Sequence, residues 1–169
     1  VKSLILIIKS ELVNVWLDKA YILFKLKKFN ESIEICLSTL NQIKNSTIAL
    51  NLLGLCSMKQ KKYKDSEKYF LKGLMIDKKN VPLLNSFAKL KYEIWELEEA
   101  EKKFIKALDI KPDSYQTLNN LGGFYLETNN SKKAEEYYLK ALALVADEPT
   151  ILNNLSKTYL SLNKDDLAK

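Results

Sequence analysis

Few side chains in this sequence could take part in catalysis. The chain contains no histidine, and all 27 of its basic residues are lysines, so arginine is absent as well. Histidine is the usual general base and metal ligand, and arginine is the forked donor that clamps phosphate and carboxylate groups. The densest acidic cluster is Glu98, Glu99 and Glu101. Such acids could hold a metal or donate a proton, but acids also complement the dipole at a helix N-terminus, and we adopt that interpretation.

No other motif indicates an active site. The sequence has no glycine-rich phosphate loop, no CxxC pair and no nucleophile with a histidine partner. We therefore predict a chain without enzymatic activity, with no catalytic residue, no metal site and no cofactor. Cys36 and Cys56 fall inside apolar helical patterns, so we expect buried thiols in a reducing compartment, the cytoplasm, rather than a disulfide. No apolar run is long enough to cross a membrane, so we expect no membrane partner.

A basic run, Lys59, Lys61, Lys62 and Lys64, is the strongest charge feature. Residues 47–80 have a formal charge of +5, whereas residues 115–148 have a charge of −2. This asymmetry could steer an anionic partner to the N-terminal half. The run contains no arginine and no clear interleaving of exposed aromatic residues, so it does not indicate nucleic-acid binding. We interpret it as a solvated turn between helices.

Side-chain amides recur with a regular spacing that could support binding. Asn51, Asn85, Asn119 and Asn153 follow one another at a constant interval of thirty-four positions. Asparagine is a poor helix former. Its presence at the same position of four predicted helices therefore runs against its intrinsic helix propensity. Its amide offers donors and an acceptor, which is the complement of a peptide unit. We favour contact with the backbone of an extended partner; the alternative is a structural role, with hydrogen bonds between adjacent helices.

The same interval organises the elements that must position these amides. Successive units begin at Val13, Thr47, Val81, Tyr115 and Pro149. When each unit is numbered from its first residue, positions 8 and 20 are small, as two closely crossing helices require. Position 8 is Ala20, Gly54, Ala88, Gly122 and Ser156, and position 20 is Ser32, Ser66, Ala100, Ala134 and Ala168. Large apolar residues between them recur in steps of three and four, which predicts two amphipathic helices in each unit.

These residues resemble the tetratricopeptide repeat, or TPR, a helix-turn-helix of about 34 residues. The unit from Tyr115 matches the motif best; its matching residues are Leu118, Leu121, Gly122, Tyr125, Ala134, Tyr138 and Ala141. The proline at the unit boundary is Pro112. The resemblance implies an all-α fold, a right-handed superhelical solenoid of antiparallel helix pairs. It covers residues 13–168.

The resemblance also implies a concave groove lined by the first helices, in which positions 2, 5, 9, 12 and 13 face inward. Our candidate groove residues are Asn51, Asn85, Asn119, Asn153, Asn120, Asn154, Lys89, Lys157, Met58, Tyr92 and Leu126. Members that clamp the C-terminal carboxylates of chaperones carry lysine at position 5, and lysine and arginine at positions 2 and 6 of a later unit. Those basic residues are missing here, so we do not expect that kind of clamp.

These expectations define a division of the chain and a function. The predicted segments are the tail of a preceding helix at 1–12, full repeats at 13–46, 47–80, 81–114 and 115–148, and a partial repeat at 149–169 with a first helix and the start of a second. Both ends therefore suggest a chain cut from a longer array. We predict a non-enzymatic scaffold that binds an extended peptide or partner helix in the concave groove. The alternatives are a substrate-recruiting region of a larger enzyme and a module that self-associates through its repeat ends.

Overall fold

A computed structural model describes the backbone of residues 2–167 and the side chains of residues 11–163. Within that part of the chain all regular structure is helical. The helices are α1 Lys2–Lys25, α2 Phe29–Gln42, α3 Thr47–Lys59, α4 Tyr63–Ile76, α5 Val81–Glu93, α6 Leu97–Ile110, α7 Tyr115–Glu127, α8 Ser131–Leu144 and α9 Pro149–Leu167. They pack in antiparallel pairs. The predicted all-α class is therefore confirmed.

Four helices begin at the residues where the sequence units were placed, namely Thr47, Val81, Tyr115 and Pro149. Local capping explains three of these starts: serine hydroxyls cap α3 and α7, and Oδ1 of Asn80 accepts a hydrogen bond from the backbone N–H of Leu83 at the start of α5. The hydroxyl of Ser46 accepts a hydrogen bond from the backbone N–H of Ala49, and that of Ser114 accepts one from Thr117. A serine at this place satisfies an N–H group that the first turn of a helix leaves without a partner.

The turns inside successive units share one backbone conformation. Lys27, Lys61, Trp95 and Asn129 all have φ between 58° and 64°, which is the left-handed region. In each turn the residue that follows the left-handed one donates its backbone N–H to a carbonyl. That carbonyl belongs to the residue five positions before the donor, and the bond length is 2.8–2.9 Å. This is the bond that closes a Schellman motif, and it satisfies a carbonyl at the C-terminus of the first helix. The repeat is thus a repeat of turn geometry as well as of sequence.

The two terminal helices differ from the sequence-based expectation. One helix was predicted to end at residue 12 and another to begin at Val13, but α1 runs without a break from Lys2 to Lys25. At the other end, α9 continues to Leu167, past the point where the preceding first helices turn. No glycine or proline interrupts either stretch, so local sequence permits one continuous helix in both places.

The structure divides into two compact units, residues 1–90 and 91–169. In the N-terminal unit, α1 packs on α2 and α3 on α4 through the predicted small residues. A Cβ at Gly54 would overlap the ring of Phe70, so only glycine allows this approach. The hydroxyl of Ser32 donates to the carbonyl of Ala20, and that of Ser66 donates to the carbonyl of Gly54, each over 2.8 Å.

In the C-terminal unit, α7 packs on α8, and a cluster of aromatic rings fills the contact between α6 and α7. A Cβ at Gly122 would lie 2.6 Å from the buried ring of Tyr138. The hydroxyl of Tyr125 donates a hydrogen bond to Glu101. Tyr138 was assigned to the core from its place in the repeat, and its burial confirms that assignment.

None of the helices within the described residues is long and apolar enough to span a bilayer. Over the same residues, no group of three or more cysteine or acidic side chains is arranged to hold a metal ion. Cys36 and Cys56 are buried free thiols, as the sequence predicted.

Candidate functional site

A surface cleft of about 430 Å³ lies between α1 and α3 in the N-terminal unit. The lining residues are Asn14, Leu17, Asp18 and Tyr21 on α1, and Ile48, Asn51, Leu52 and Leu55 on α3. They form four pairs, and the two members of each pair occupy the same position in successive units. We call this feature the α1–α3 cleft. It lies on the side of the first helices that the resemblance assigned to the groove, because three of the four pairs occupy positions 2, 5 and 9.

The floor of the α1–α3 cleft is apolar and its edges are mixed. Leu17 and Leu52 are buried in the core of the unit and close the bottom. Ile48 is 58% exposed and Tyr21 is also exposed, so both present surface that a bound segment could cover. A concave apolar surface with a few polar groups at its edge is the usual form of a binding site.

Asn51 supplies a polar atom in this cleft. Its Oδ1 is buried and accepts no hydrogen bond from the described residues. A buried amide oxygen without a donor costs free energy, which a ligand N–H group could recover. Of the predicted asparagines, Asn51 is the one that lines the cleft, whereas Asn85 is buried on α5.

The asparagines of the C-terminal unit are arranged differently. Nδ2 of Asn154 donates to Oδ1 of Asn119 over 3.2 Å, which joins α9 to α7. This is the structural alternative that the sequence left open, and it applies at this pair. Asn120 is half-buried, and Asn153 is exposed on α9.

The apolar residues predicted at position 12 do not form an exposed row. Met58 is only 3% exposed, so its assignment to the binding surface is corrected. The side chain is buried in the fold, and a partner cannot reach it. Tyr92 is half-buried, with its ring 6.0 Å from that of Phe124. Leu126 is half-buried. Neighbouring helices decide whether this position is accessible, and a single repeat does not contain that information.

The two helices that line the α1–α3 cleft each carry a lysine in the last turn. Lys25 lies in the last turn of α1 and Lys59 in the last turn of α3. Nζ of Lys25 is 5.5 Å from the centroid of the Tyr21 ring, at the edge of the cleft. Desolvation lowers the pKa of the predicted groove residue Lys89, and the charges of Lys59 and Lys25 lower it further.

Sequence reasoning missed Lys25, Lys59 and the cleft residues other than Asn51. The signal was present, because Tyr21 and Leu55 occupy position 9, and Lys25 and Lys59 occupy position 13. Lys157, the other predicted lysine, is exposed on α9.

The acidic cluster has the structural role predicted for it. Glu98 and Glu99 lie in the first turn of α6. Glu99 forms ion pairs with Lys103 at 3.0 Å and with Lys102 at 3.4 Å, which lower its pKa. The basic run between Lys59 and Lys64 likewise spans the turn between α3 and α4.

Comparison with known proteins gives the family and the fold. The family model of the tetratricopeptide repeat matches residues 48–80 and 115–146. No catalytic family is among the matches. No curated protein matches the sequence at a significant level.

Solved structures resemble the chain over most of its length. A thermophilic TPR protein of Thermus thermophilus is 18% identical, with a TM-score of 0.81 over 91% of this chain and 84% of that one. The PilF protein of Pseudomonas aeruginosa is 19% identical, with a TM-score of 0.77 over 92% of this chain and 71% of that one. The first TPR domain of Spaghetti, bound to an HSP90 peptide of sequence SRMEEVD, is 20% identical, with a TM-score of 0.62 over 69% and 93%. These likenesses show a superhelical array of helix pairs.

Proposed function

Because the chain is a tetratricopeptide repeat protein, a class whose members generally bind other proteins, we propose that it is a non-enzymatic scaffold for protein–protein interaction. It binds an extended segment of a partner on the concave side of its first helices. In the N-terminal unit the binding surface is the α1–α3 cleft. The free cysteines support a reducing compartment, the cytoplasm, as its location.

One observation carries this proposal. The α1–α3 cleft combines an apolar floor with a buried amide oxygen, Oδ1 of Asn51, that accepts no hydrogen bond from the described residues. An extended peptide offers both complements, an apolar side chain for the floor and a backbone N–H for the oxygen. The distant TPR domain with a bound HSP90 peptide supports the same mode of binding.

Selection from a random peptide library, followed by fluorescence anisotropy, tests this function. Ile48→Ser removes an exposed apolar wall of the cleft, so we expect about a tenfold loss of affinity for a selected peptide. Leu71→Ser is the matched control, because Leu71 is similarly exposed but lies on the second helix α4. Equal effects of the two substitutions, or no effect of Ile48→Ser, would contradict binding in the cleft.

Self-association is a second candidate function, and an exposed face of α1 favours it. Val15 and Ile22 are both more than half exposed. Ala49 and Cys56, which occupy the same two positions on α3, are completely buried. We expect sedimentation velocity to show concentration-dependent association that the double variant Val15→Ser, Ile22→Ser removes. A chain that stays monomeric at high concentration would rule this function out.

A further inference from the structure

Four apolar side chains form an exposed stripe along α1 and the residue that follows it. Leu12, Val15, Ile22 and Leu26 are 47–63% exposed. With the exposed Lys19 between Val15 and Ile22, the spacing alternates between three and four residues. This is the spacing of the a and d positions at which two helices meet in a coiled coil. We call these five residues the α1 stripe.

Lys19 distinguishes the α1 stripe from the equivalent faces inside the array. It occupies position 7 of its unit, where the next three units carry Leu53, Phe87 and Leu121. Those three side chains are buried. An apolar helix packed over Lys19 would bury its ammonium group without a partner, which costs free energy. The occupant of the α1 stripe should therefore bring an acidic group as well as an apolar row.

Charges along one edge of the α1 stripe are ordered by sign. Glu11, Asp18 and Lys25 follow one another at intervals of seven residues, so they lie in one row on the helix. All three side chains are exposed. Among the described residues none of them forms an ion pair, and neither does Lys19. The row is acidic towards the start of α1 and basic at its end, so it complements a copy of itself that runs in the opposite direction.

We propose that a second copy of the chain covers the α1 stripe, with the two α1 helices antiparallel. With a two-fold axis at the level of Leu17, Leu12 lies opposite Ile22 of the other copy. Val15 then lies opposite Lys19 of the other copy. Two-fold symmetry makes each of these contacts twice. This inference rests on self-association, the second proposed function, and specifies how the two copies meet.

The same register pairs the charges. At the helical rise of 1.5 Å per residue, Glu11 lies about 3 Å along the axis from Lys25 of the other copy. Lys19 lies about 5 Å along the axis from Asp18 of the other copy, an interval that the lysine stem can span. Asp18 also approaches its own copy across the two-fold axis, and the two Lys19 ammonium groups neutralise that pair. Each lysine of the α1 stripe and its edge therefore has an acidic partner.

A parallel pair of α1 helices would be less favourable. It would place Lys19 opposite Lys19 of the other copy, with two like charges in one layer of the interface. Glu11 and Lys25 of different copies would be separated by fourteen residues, about 21 Å along the axis, and could not meet. The charges of α1 thus select the antiparallel arrangement.

Charge reversal followed by sedimentation velocity at low salt tests the orientation. Glu11→Lys and Lys25→Glu should each weaken self-association about tenfold, because each creates two like-charged pairs in the dimer. An equal mixture of the two variants should regain the association of the parent, since their charges again complement each other. Asp65→Lys and Lys72→Glu are the matched controls, because they make the same changes of charge at exposed sites on α4. Circular dichroism checks that every variant stays helical.

Cysteine cross-linking tests the register. A mixture of Leu12→Cys and Ile22→Cys chains, oxidised with glutathione disulfide, should form a mixed dimer in preference to either symmetric one. The native cysteines are buried and leave the engineered thiols as the accessible ones. Cross-links between like positions would instead indicate a parallel pair and would overturn the inference.

The other outcomes separate this inference from self-association itself. Association that the charge variants do not weaken, that their mixture does not restore, or that the α4 controls weaken equally would overturn the antiparallel pair and leave self-association standing. Open chains of molecules that Leu152→Ser with Leu160→Ser dissolves would replace it with a head-to-tail contact through α9. A chain that stays monomeric at high concentration would contradict both.

Discussion

At the scale of single residues, contact between α7 and α8 depends on the missing side chain of Gly122. An alanine Cβ there would meet the ring of Tyr138 at 2.6 Å, so Gly122→Ala must displace a buried ring. We expect it to lower the free energy of unfolding by about 1–3 kcal/mol, measured by urea denaturation. Gly123→Ala is the matched control, because its Cβ would meet only the Tyr138 hydroxyl oxygen at 3.5 Å. That substitution should stabilise the helix by about 0.5–1 kcal/mol; similar losses for both would contradict the packing argument.

The buried thiols make a second prediction at this scale. Burial raises the pKa of Cys36 from 9.0 to about 12, with the charge of Cys56 acting in the same direction, and burial also raises the pKa of Cys56. Because the folded pKa is the higher one, Cys36 favours folding below pH 9 and this contribution is lost as the pH rises towards 12. At pH 8 iodoacetamide should therefore leave both thiols of the folded chain unmodified and alkylate both in denaturant. Rapid alkylation of the native chain, measured by mass spectrometry against an exposed Ser38→Cys control, would be inconsistent with this burial.

Sequence reasoning at the residue scale succeeded where the repeat itself imposes the constraint. The small residues at positions 8 and 20 and the core placement of Tyr138 follow from helices that cross closely. Both small positions are buried in the four units that begin at Val13, Thr47, Val81 and Tyr115. In the last unit Ser156 is exposed, and Ala168 lies outside the described residues. Met58 failed because its exposure depends on what packs beside α3.

At the scale of the elements, the turn between α5 and α6 holds an unfavourable residue. Trp95 has φ of 64° and is 77% exposed, so a bulky side chain occupies a left-handed conformation and buries little surface. We expect Trp95→Gly to raise the free energy of unfolding by about 0.5–1 kcal/mol. Loss of the ring contact between Trp95 and Tyr92 reduces this gain in stability. Urea denaturation checks this expectation. Asn129→Gly in the equivalent turn should gain less, because asparagine tolerates the conformation; the reverse order would contradict the explanation.

Helix starts were predictable and the terminal helix bounds were not. The period and the boundary residues place the starts of α3, α5, α7 and α9 correctly, because capping serines and prolines act locally. The uninterrupted course of α1 and of α9 was not predictable from the repeat, because the local sequence contains no glycine or proline that would end either helix where the repeat places a boundary. Extrapolation of the repeat to both ends therefore introduced breaks that the local sequence does not impose.

At the scale of the whole molecule, stability in a repeat array is set by contacts between neighbours, so helices with fewer contacts should open first. Leu152 on α9 is 47% exposed, whereas its equivalent on α7, Leu118, is buried. We expect backbone amides of residues 151–163 to exchange with deuterium about tenfold faster than those of residues 116–127, by hydrogen-exchange mass spectrometry. Equal protection of the two segments would show that α9 is stabilised by something other than these contacts.

The hydroxyl bonds of Ser32 and Ser66 have a consequence for how such a chain can change over generations. Each serine donates to a carbonyl twelve residues earlier, and the two bonds lie at the same place in successive units. A gene rearrangement that removed the residues after Ala20 up to and including Gly54 would place Ser66 twelve residues after Ala20, where the same bond could form again. Insertion or loss of whole units therefore preserves this contact, whereas a deletion of another length with one end between a serine and its carbonyl would change the twelve-residue separation and break it. The length of the array can therefore change by whole units without the loss of this hydrogen bond.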